Sequence, residues 1–391
     1  MSKLISPHGG ELSPVLVPKE QRGHYQSKSK TLPAVRMSSR ETSDLLMLGM
    51  GAYSPLTGFM GKRDYESVVN TKHLADGIAW PVPITISVTE EQAKGLAEGS
   101  EVALVDDETG TYVGILTVQD KYRYDKVREC KEVFFTDDSN HPGVQKVMSQ
   151  PEVNLGGPAV TFSQMGYDQK YGTYYATPEQ TRLEFDRKGW KTVAAFQTRN
   201  PLHRSHEYLC KIGNEICDGL LIHPIVGKLK DGDIPAEVRI QCYETLISNY
   251  FNPDSCMMRV YPMEMRYAGP SEGILHAIFR QNFGCTHLLV GRDHAGVGSY
   301  YTAYQAQDLF DQFKPGEILC QPIKVTSSFY CNVCEGMTTE KTCPHGPANH
   351  LNISGTKLRA MLAVGDLPSS NFSRAEVLKI LMEYYQGLNG Q

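Results

Sequence analysis

Long apolar runs are missing from this sequence: no segment approaches the roughly 18 consecutive apolar residues that span a bilayer, so no membrane is expected as a partner. A basic excess is missing too. Lys and Arg number 39 against 44 Asp and Glu, a net charge of −5, which speaks against a nucleic-acid partner whose phosphates need neutralising. Cysteine is thin, ten in 391 residues, and excludes a disulfide framework. The opening MSKLISPHGGEL lacks the basic-then-apolar layout of a secretory signal. A reduced, cytoplasmic protein is therefore expected. No internal repeat or low-complexity tract occurs. G-x-x-x-x-G-K-[ST] and H-E-x-x-H are also absent, which removes P-loop kinase and zincin chemistry.

The chain has ordinary globular means, 40% hydrophobic and 21% charged residues, and a length that suits two to four domains. Residues 1–165 show short β-type runs broken by Gly and Pro, at 82–88, 101–105 and 111–118. The last two flank the turn-rich Asp106-Asp107-Glu108-Thr109-Gly110 and read as a hairpin. Residues 166–325 change character. Apolar runs at 192–196, 219–226, 257–261, 286–290 and 318–325 alternate with stretches of helical length at 206–216, 235–250, 270–283 and 300–313. That alternation predicts a parallel, doubly wound sheet, with ligands beyond the carboxyl ends of its strands, after Phe196, Val226 and Val290. Residues 326–391 hold a cysteine cluster, the run Ser354-Gly355-Thr356-Lys357, and a closing helix over 374–385 with Ser373 as its cap and Glu376 in support.

Three motifs carry chemistry. Gln197-Thr198-Arg199-Asn200-Pro201-Leu202-His203-Arg204-Ser205-His206-Glu207 starts where the first parallel strand ends and runs into the first helix. Gln197, Arg199 and Asn200 offer fixed donors, Arg199 as a planar fork suited to tetrahedral oxyanions. His203 and His206 share one helical face beside the anion-favouring N-terminus, so the segment reads as a polyphosphate or sulfate clamp. Gly291-Arg292-Asp293-His294-Ala295-Gly296-Val297-Gly298 lets the backbone approach a ligand on the same sheet edge, although a plain turn also explains its glycines. Ser354-Gly355-Thr356-Lys357-Leu358-Arg359 suits either phosphate binding or an ordinary helix start. Separately, Cys331-x2-Cys334-x8-Cys343 has the spacing of a structural zinc site, with His345 favoured as fourth ligand over His350.

QTRNPLHRSHE, HPIVGKLKDGDIP, YAGPSEGILHAIFRQNFGCTHLLVGRDHAGVG, ISGTKLR and SPLTGFM together resemble the ATP sulfurylase (sulfate adenylyltransferase) family, of the bacterial and archaeal single-function type. The resemblance spans almost the whole chain. It implies a β-rich, PUA-like N-terminal domain, then a Rossmann-like nucleotidyltransferase domain in which HRSH stands for HxGH, then a small zinc-bearing domain. No appended adenylylsulfate kinase is expected. The implied reaction is ATP plus sulfate giving adenosine 5′-phosphosulfate and pyrophosphate, with Mg²⁺ on the ATP phosphates and a structural Zn²⁺ in some bacterial members. The resemblance also implies catalytic roles for Thr198, Arg199, Asn200, His203 and His206. Sulfate and ATP would be bound by Gln197, Arg199, Asn200, Gly291, Arg292, Asp293, His294, Ala295 and Val325, and zinc by Cys331, Cys334, Cys343 and His345. A homodimer is expected. A nucleotidyltransferase with another anionic acceptor and a non-catalytic zinc-ribbon protein are the competing readings.

Overall fold

The computed structural model describes residues 4–228, 233–351, 353 and 355–389. A seven-stranded sheet forms the N-terminal part, from β1 (Ala34–Met37), β2 (Gly58–Phe59), β3 (Ile86–Val88), β4 (Glu101–Asp106), β5 (Tyr112–Thr117), β6 (Asp120–Arg123) and β7 (Val153–Thr161). β4 and β5 make the expected hairpin, with Glu101 opposite Thr117. Its turn closes because the Asp106 carboxylate accepts the Thr109 N–H at 2.9 Å and hydroxyl at 2.7 Å. The run at 82–88 yields only the three residues of β3. Pro81 and Pro83 lack the N–H a ladder requires, so pairing begins after them.

The second sheet is parallel throughout, as expected. Its strands β8 (Val193–Thr198), β9 (Gly219–Pro224), β10 (Cys256–Met258), β11 (His287–Val290) and β12 (Gln321–Lys324) stand in the order β10-β9-β8-β11-β12. Helices Arg204–Ile216, Ala236–Tyr250 and Pro270–Phe283 fall where the sequence pattern puts them. The fourth contracts to Gln305–Phe310, and β12 is a half-exposed edge strand rather than a buried one. Strand order reverses between β8 and β11, which makes that gap the switch point of the sheet.

Beyond β12, β13 (Ser328–Cys331), β14 (Gly336–Thr339) and β15 (His350–Leu351) form a small antiparallel sheet. The Gly355–Ala363 and Ala375–Asn389 helices follow, and Leu358, Leu362, Val377, Leu378 and Leu381 share a core cluster with Tyr243 and Leu246 of the second sheet's helix. The expected Ser373 cap is not made. The helix starts two residues later, the buried Ser373 hydroxyl has no partner among the described residues, and Glu376 accepts from the Tyr250 hydroxyl instead. Among the described residues, no helix is long and apolar enough to cross a membrane.

The two large sheets share one continuous apolar core running from Val35 through Tyr53 and Phe279 to Cys320. All fourteen residues of the Pro270–Phe283 helix are buried between them. Polar ties reinforce this contact. Asn282 donates to the carbonyls of Ala52 and Ser54 at 2.9 and 3.0 Å. Arg266 Nη2 donates to both carboxylate oxygens of Asp44, each at 2.6 Å, with both side chains 3% exposed. Asp44 lies on the Ser39–Gly49 helix of the N-terminal part, whose start is fixed by a Ser38–Glu41 capping box. Removing one partner of a buried pair strands the other charge, at a cost of about 3–5 kcal/mol. Asp44→Ala is expected to lower the free energy of chemical unfolding by about that amount; a loss below about 1 kcal/mol, the range of exposed pairs, contradicts this role.

Candidate active site

β8 and β11 end side by side at the switch point, so the chain segments leaving them part there and open a crevice. A cavity of about 400 Å³ occupies it, lined by residues 196–200, Ser205, His206, Leu209, Met265, Leu289, residues 291–296 and residues 325–328. It adjoins a second cavity of about 470 Å³ that shares Ser205, His206, Arg292, Ser327 and Ser328, and is walled further by His203, Phe329, Tyr330 and Phe372. Gln197, Thr198, Arg199, Asn200, His206, Gly291, Arg292, Asp293, His294, Ala295 and Val325 thus meet around one space. His203 faces the neighbouring one, with His206 on the wall between them.

Local chemistry sets each group. Thr198 Oγ1 donates to the Asn200 carbonyl at 2.7 Å and accepts the Asn200 N–H at 3.2 Å, closing a tight turn. Its hydroxyl is thereby committed to the backbone. Arg199, at the tip of that turn, donates from Nη1 to the Tyr267 hydroxyl at 2.7 Å, and its guanidinium lies 4.9 Å from the same ring's centroid. Gln197 donates from Nε2 to the Met265 sulfur at 3.4 Å, while its Oε1 has no partner among the described residues. A half-turn of that amide presents its NH2 to an oxyanion instead. In the loop after β11, Asp293 and Ala295 are left-handed, with φ of 53° and 56°. Left-handed residues alternating with ordinary ones are the backbone pattern of an anion-binding nest.

The imidazoles are neutral. Burial pushes His203 down to about 3 and His206 down to about 4, and His294 falls to about 3 through burial with His276 beside it. His206 Nδ1 accepts the His203 backbone N–H at 3.3 Å, so its proton sits on Nε2. His203 Nδ1 is buried without a partner among the described residues. The helix that begins at Arg204 adds the positive end of its dipole to this wall. Positive charge in the cleft comes from Arg199 and from Arg292, the latter paired with Asp293 at 3.1 Å. The arrangement offers N–H groups and guanidinium to anions, and suits joining two of them.

Cys331, Cys334, Cys343 and His345 gather beside the cleft with ligand atoms all within 4.8 Å of one another. His345 Nδ1 lies 3.5, 3.3 and 3.8 Å from the three sulfurs, and the sulfurs of Cys334 and Cys343 are 3.9 Å apart. Zn–S and Zn–N bonds of about 2.3 and 2.0 Å span a tetrahedron with edges of about 3.5–3.8 Å, so the donor set fits one zinc. His350 stands outside the cluster. Its Nε2 bonds the His345 carbonyl at 3.0 Å, and its ring stacks on Phe329 at 3.6 Å.

The loop after Val226 is described only in part. Val226 and Lys228 line a separate cavity of about 280 Å³ between the two large sheets, with Thr42, Asp106 and Tyr171, and residues 229–232 lie outside the described residues. Ser354 also lies outside them, while the adjacent Ile353 lines the second cavity. Sequence reasoning missed Met265, Tyr267 and Phe372. Only Tyr267 had a signal, as the first residue of the YAGPSEG run.

The ATP-sulfurylase family model matches residues 172–384, and a PUA-like domain model matches residues 5–164. The sulfate adenylyltransferase of Desulforamulus reducens is 68% identical over 385 residues, covering 98% of this chain and 99% of its own. That of Chlorobaculum tepidum is 54% identical over 387 residues, covering 98% and 96%. A solved structure described as a hexameric APS kinase from Thiobacillus denitrificans aligns with a TM-score of 0.73 at 26% identity, over 97% of this chain and 68% of its own. The chain belongs to the ATP sulfurylase family, the sulfate adenylyltransferases, and converts ATP and sulfate into adenosine 5′-phosphosulfate and pyrophosphate.

Proposed function

We propose that sulfate is held at the switch point by Gln197, Arg199 and the Ala295 backbone N–H, with the nucleotide over residues 291–294 and Val325. The observation that carries this reading is the convergence of the Arg199 guanidinium, the Gln197 amide and a left-handed backbone loop on a single cavity. Sulfate is already a dianion, so no general base is needed. The work is to bring two anions together and to stabilise charge growing on the departing pyrophosphate. His206, protonated on Nε2, and His203 are assigned to that pyrophosphate, and Asn200 to the ATP phosphates, which carry Mg²⁺. Thr198 shapes the turn beneath Arg199. Neutral imidazoles suit the task because they donate hydrogen bonds without holding the product by a full charge.

The zinc proposal names Cys331, Cys334, Cys343 and His345 as ligands, with His350 bracing His345 from behind. A closed four-ligand site leaves no open position for chemistry. Its contribution is to hold β13 and β14, which supply Phe329, Tyr330 and Met337 to the second cavity. Ser328 Oγ donates to the Ser205 carbonyl at 3.0 Å, so this zinc-bearing sheet rests on the start of the catalytic helix. We divide the chain at about residues 165 and 325, where the sheets change. Cytoplasmic location follows from the reduced thiols required, and association of several copies, rather than only two, from the relative described as hexameric.

Two outcomes test these readings. Arg199→Ala removes a cation from an anion site, a loss of about 2–5 kcal/mol, so kcat/KM for sulfate is expected to fall at least about a hundredfold with unfolding temperature unchanged. Near-normal adenosine 5′-phosphosulfate synthesis removes Arg199 from the site. Protein purified without chelators is expected to carry about one equivalent of zinc, lost in His345→Ala and kept in His350→Ala. A zinc content below about half an equivalent, or a zinc-replete His345→Ala variant, contradicts the assignment.

A further inference from the structure

The groups assigned to sulfate lie at the end of β8 and in the loops that follow β8 and β11, and a third loop supports them all. Residues 262–269 carry Met265, which receives the Gln197 amide, and Tyr267, which receives Arg199. Gly269 donates its N–H to the Ala295 carbonyl at 3.1 Å, tying the same loop to the third group. A Cβ at Gly269, whose φ is +50°, would lie 2.7 Å from the Tyr301 ring, so only glycine permits this approach.

Tyr267 itself is held in a costly shape. Its φ is 61°, a left-handed conformation rare for an aromatic residue. Glu272 fixes both flanking amides, accepting the Arg266 N–H at 2.9 Å on one oxygen and the Ala268 N–H at 3.1 Å on the other. The Tyr267 carbonyl accepts from the Tyr301 hydroxyl at 3.0 Å and lies 3.2 Å from His141 Nε2. His141 Nδ1 accepts the Gly143 N–H at 3.0 Å, so its proton is on Nε2 and points to this pair. Backbone strain that surroundings maintain so firmly belongs where a side chain serves a site.

We infer that Tyr267 is a positioning residue for sulfate: its hydroxyl and ring fix the plane of the Arg199 guanidinium that binds the dianion. This rests on the assignment of Arg199 to sulfate. Arg199 is only half-buried, and a free arginine samples many rotamers. One committed N–H removes that freedom and leaves the rest of the guanidinium for the anion.

Tyr267→Phe keeps the ring, its stacking on Arg199 and the backbone shape, and removes only the hydroxyl. Loss of a hydrogen bond to a charged group is worth about tenfold or more in affinity. The expected result is a KM for sulfate raised about tenfold with the KM for ATP within about twofold and the unfolding temperature unchanged. In an Arg199→Ala background the same substitution is expected to add nothing, since the two act as one unit. Three results overturn the inference: a normal sulfate KM in Tyr267→Phe while Arg199→Ala raises it, an equal rise for both substrates, or an undiminished effect without Arg199. If Arg199→Ala itself leaves sulfate KM unchanged, the assignment beneath the inference falls, and the inference falls with it.

Discussion

Arg266 and Asp44 form an ion pair sealed between the two large sheets, and the site's geometry hangs from it. Desolvation works against both charges; close contact with the partner opposes it, helped by Arg40 near Asp44 and by Glu272 near Arg266. The pair holds in place the loop that steadies Gln197, Arg199 and Ala295. Ser43, one residue before Asp44, adds a second hold on that loop. Its hydroxyl donates to the Pro262 carbonyl at 3.1 Å and accepts the Glu264 N–H at 2.7 Å. Among the described residues the N-terminal part supplies no strand-end ligand to the cleft, yet its Ser39–Gly49 helix is the platform on which the supporting loop 262–269 stands.

The cleft combines rigid support with little fixed charge. Burial keeps His203, His206 and His294 neutral, and among the described residues lining the cleft the positive charge is that of two arginines, one of them already paired. Such a site can receive sulfate and ATP together without holding the pyrophosphate too firmly to leave. The far wall is made by the small C-terminal sheet, which has little apolar core of its own: Cys331 is buried while Phe329 and Tyr330 are only partly so. The zinc proposed at Cys331, Cys334, Cys343 and His345 would cross-link this sheet of three short strands. The Ala375–Asn389 helix packs on the Ala236–Tyr250 and Gly355–Ala363 helices, and Arg374 just before it donates to both carboxylate oxygens of Glu207 at 2.8 and 2.7 Å.

The second sheet was legible because buried parallel strands are short, uninterrupted apolar runs separated by helical stretches. β12 was over-read as buried because an edge strand can still be apolar in composition. In the N-terminal part the strands are often only two to four residues long, too short for alternation to register, and prolines cut the most apolar run. The strand-end motif with His203 and His206 and the cysteine spacing were visible, and family resemblance supplied the roles proposed for Ala295 and Val325. What stayed hidden is whatever depends on distant pairing. Tyr267 meets Arg199 across 68 positions and Arg266 meets Asp44 across 222, distances over which no local period carries information. The Ser373 cap failed for a related reason, since Glu376 is drawn to Tyr250 on a neighbouring helix.

The central claim is that one tetrahedral oxyanion is gripped at the β8–β11 switch point by Gln197, Arg199 and the Ala295 backbone. The most direct test is a crystal structure with adenosine 5′-phosphosulfate bound. The account predicts sulfonyl oxygens within hydrogen-bonding distance of those three groups, with Arg199 still resting on Tyr267. A sulfonyl group lodged instead in the second cavity, between His203 and Phe329, with Arg199 turned away from it, would contradict the account.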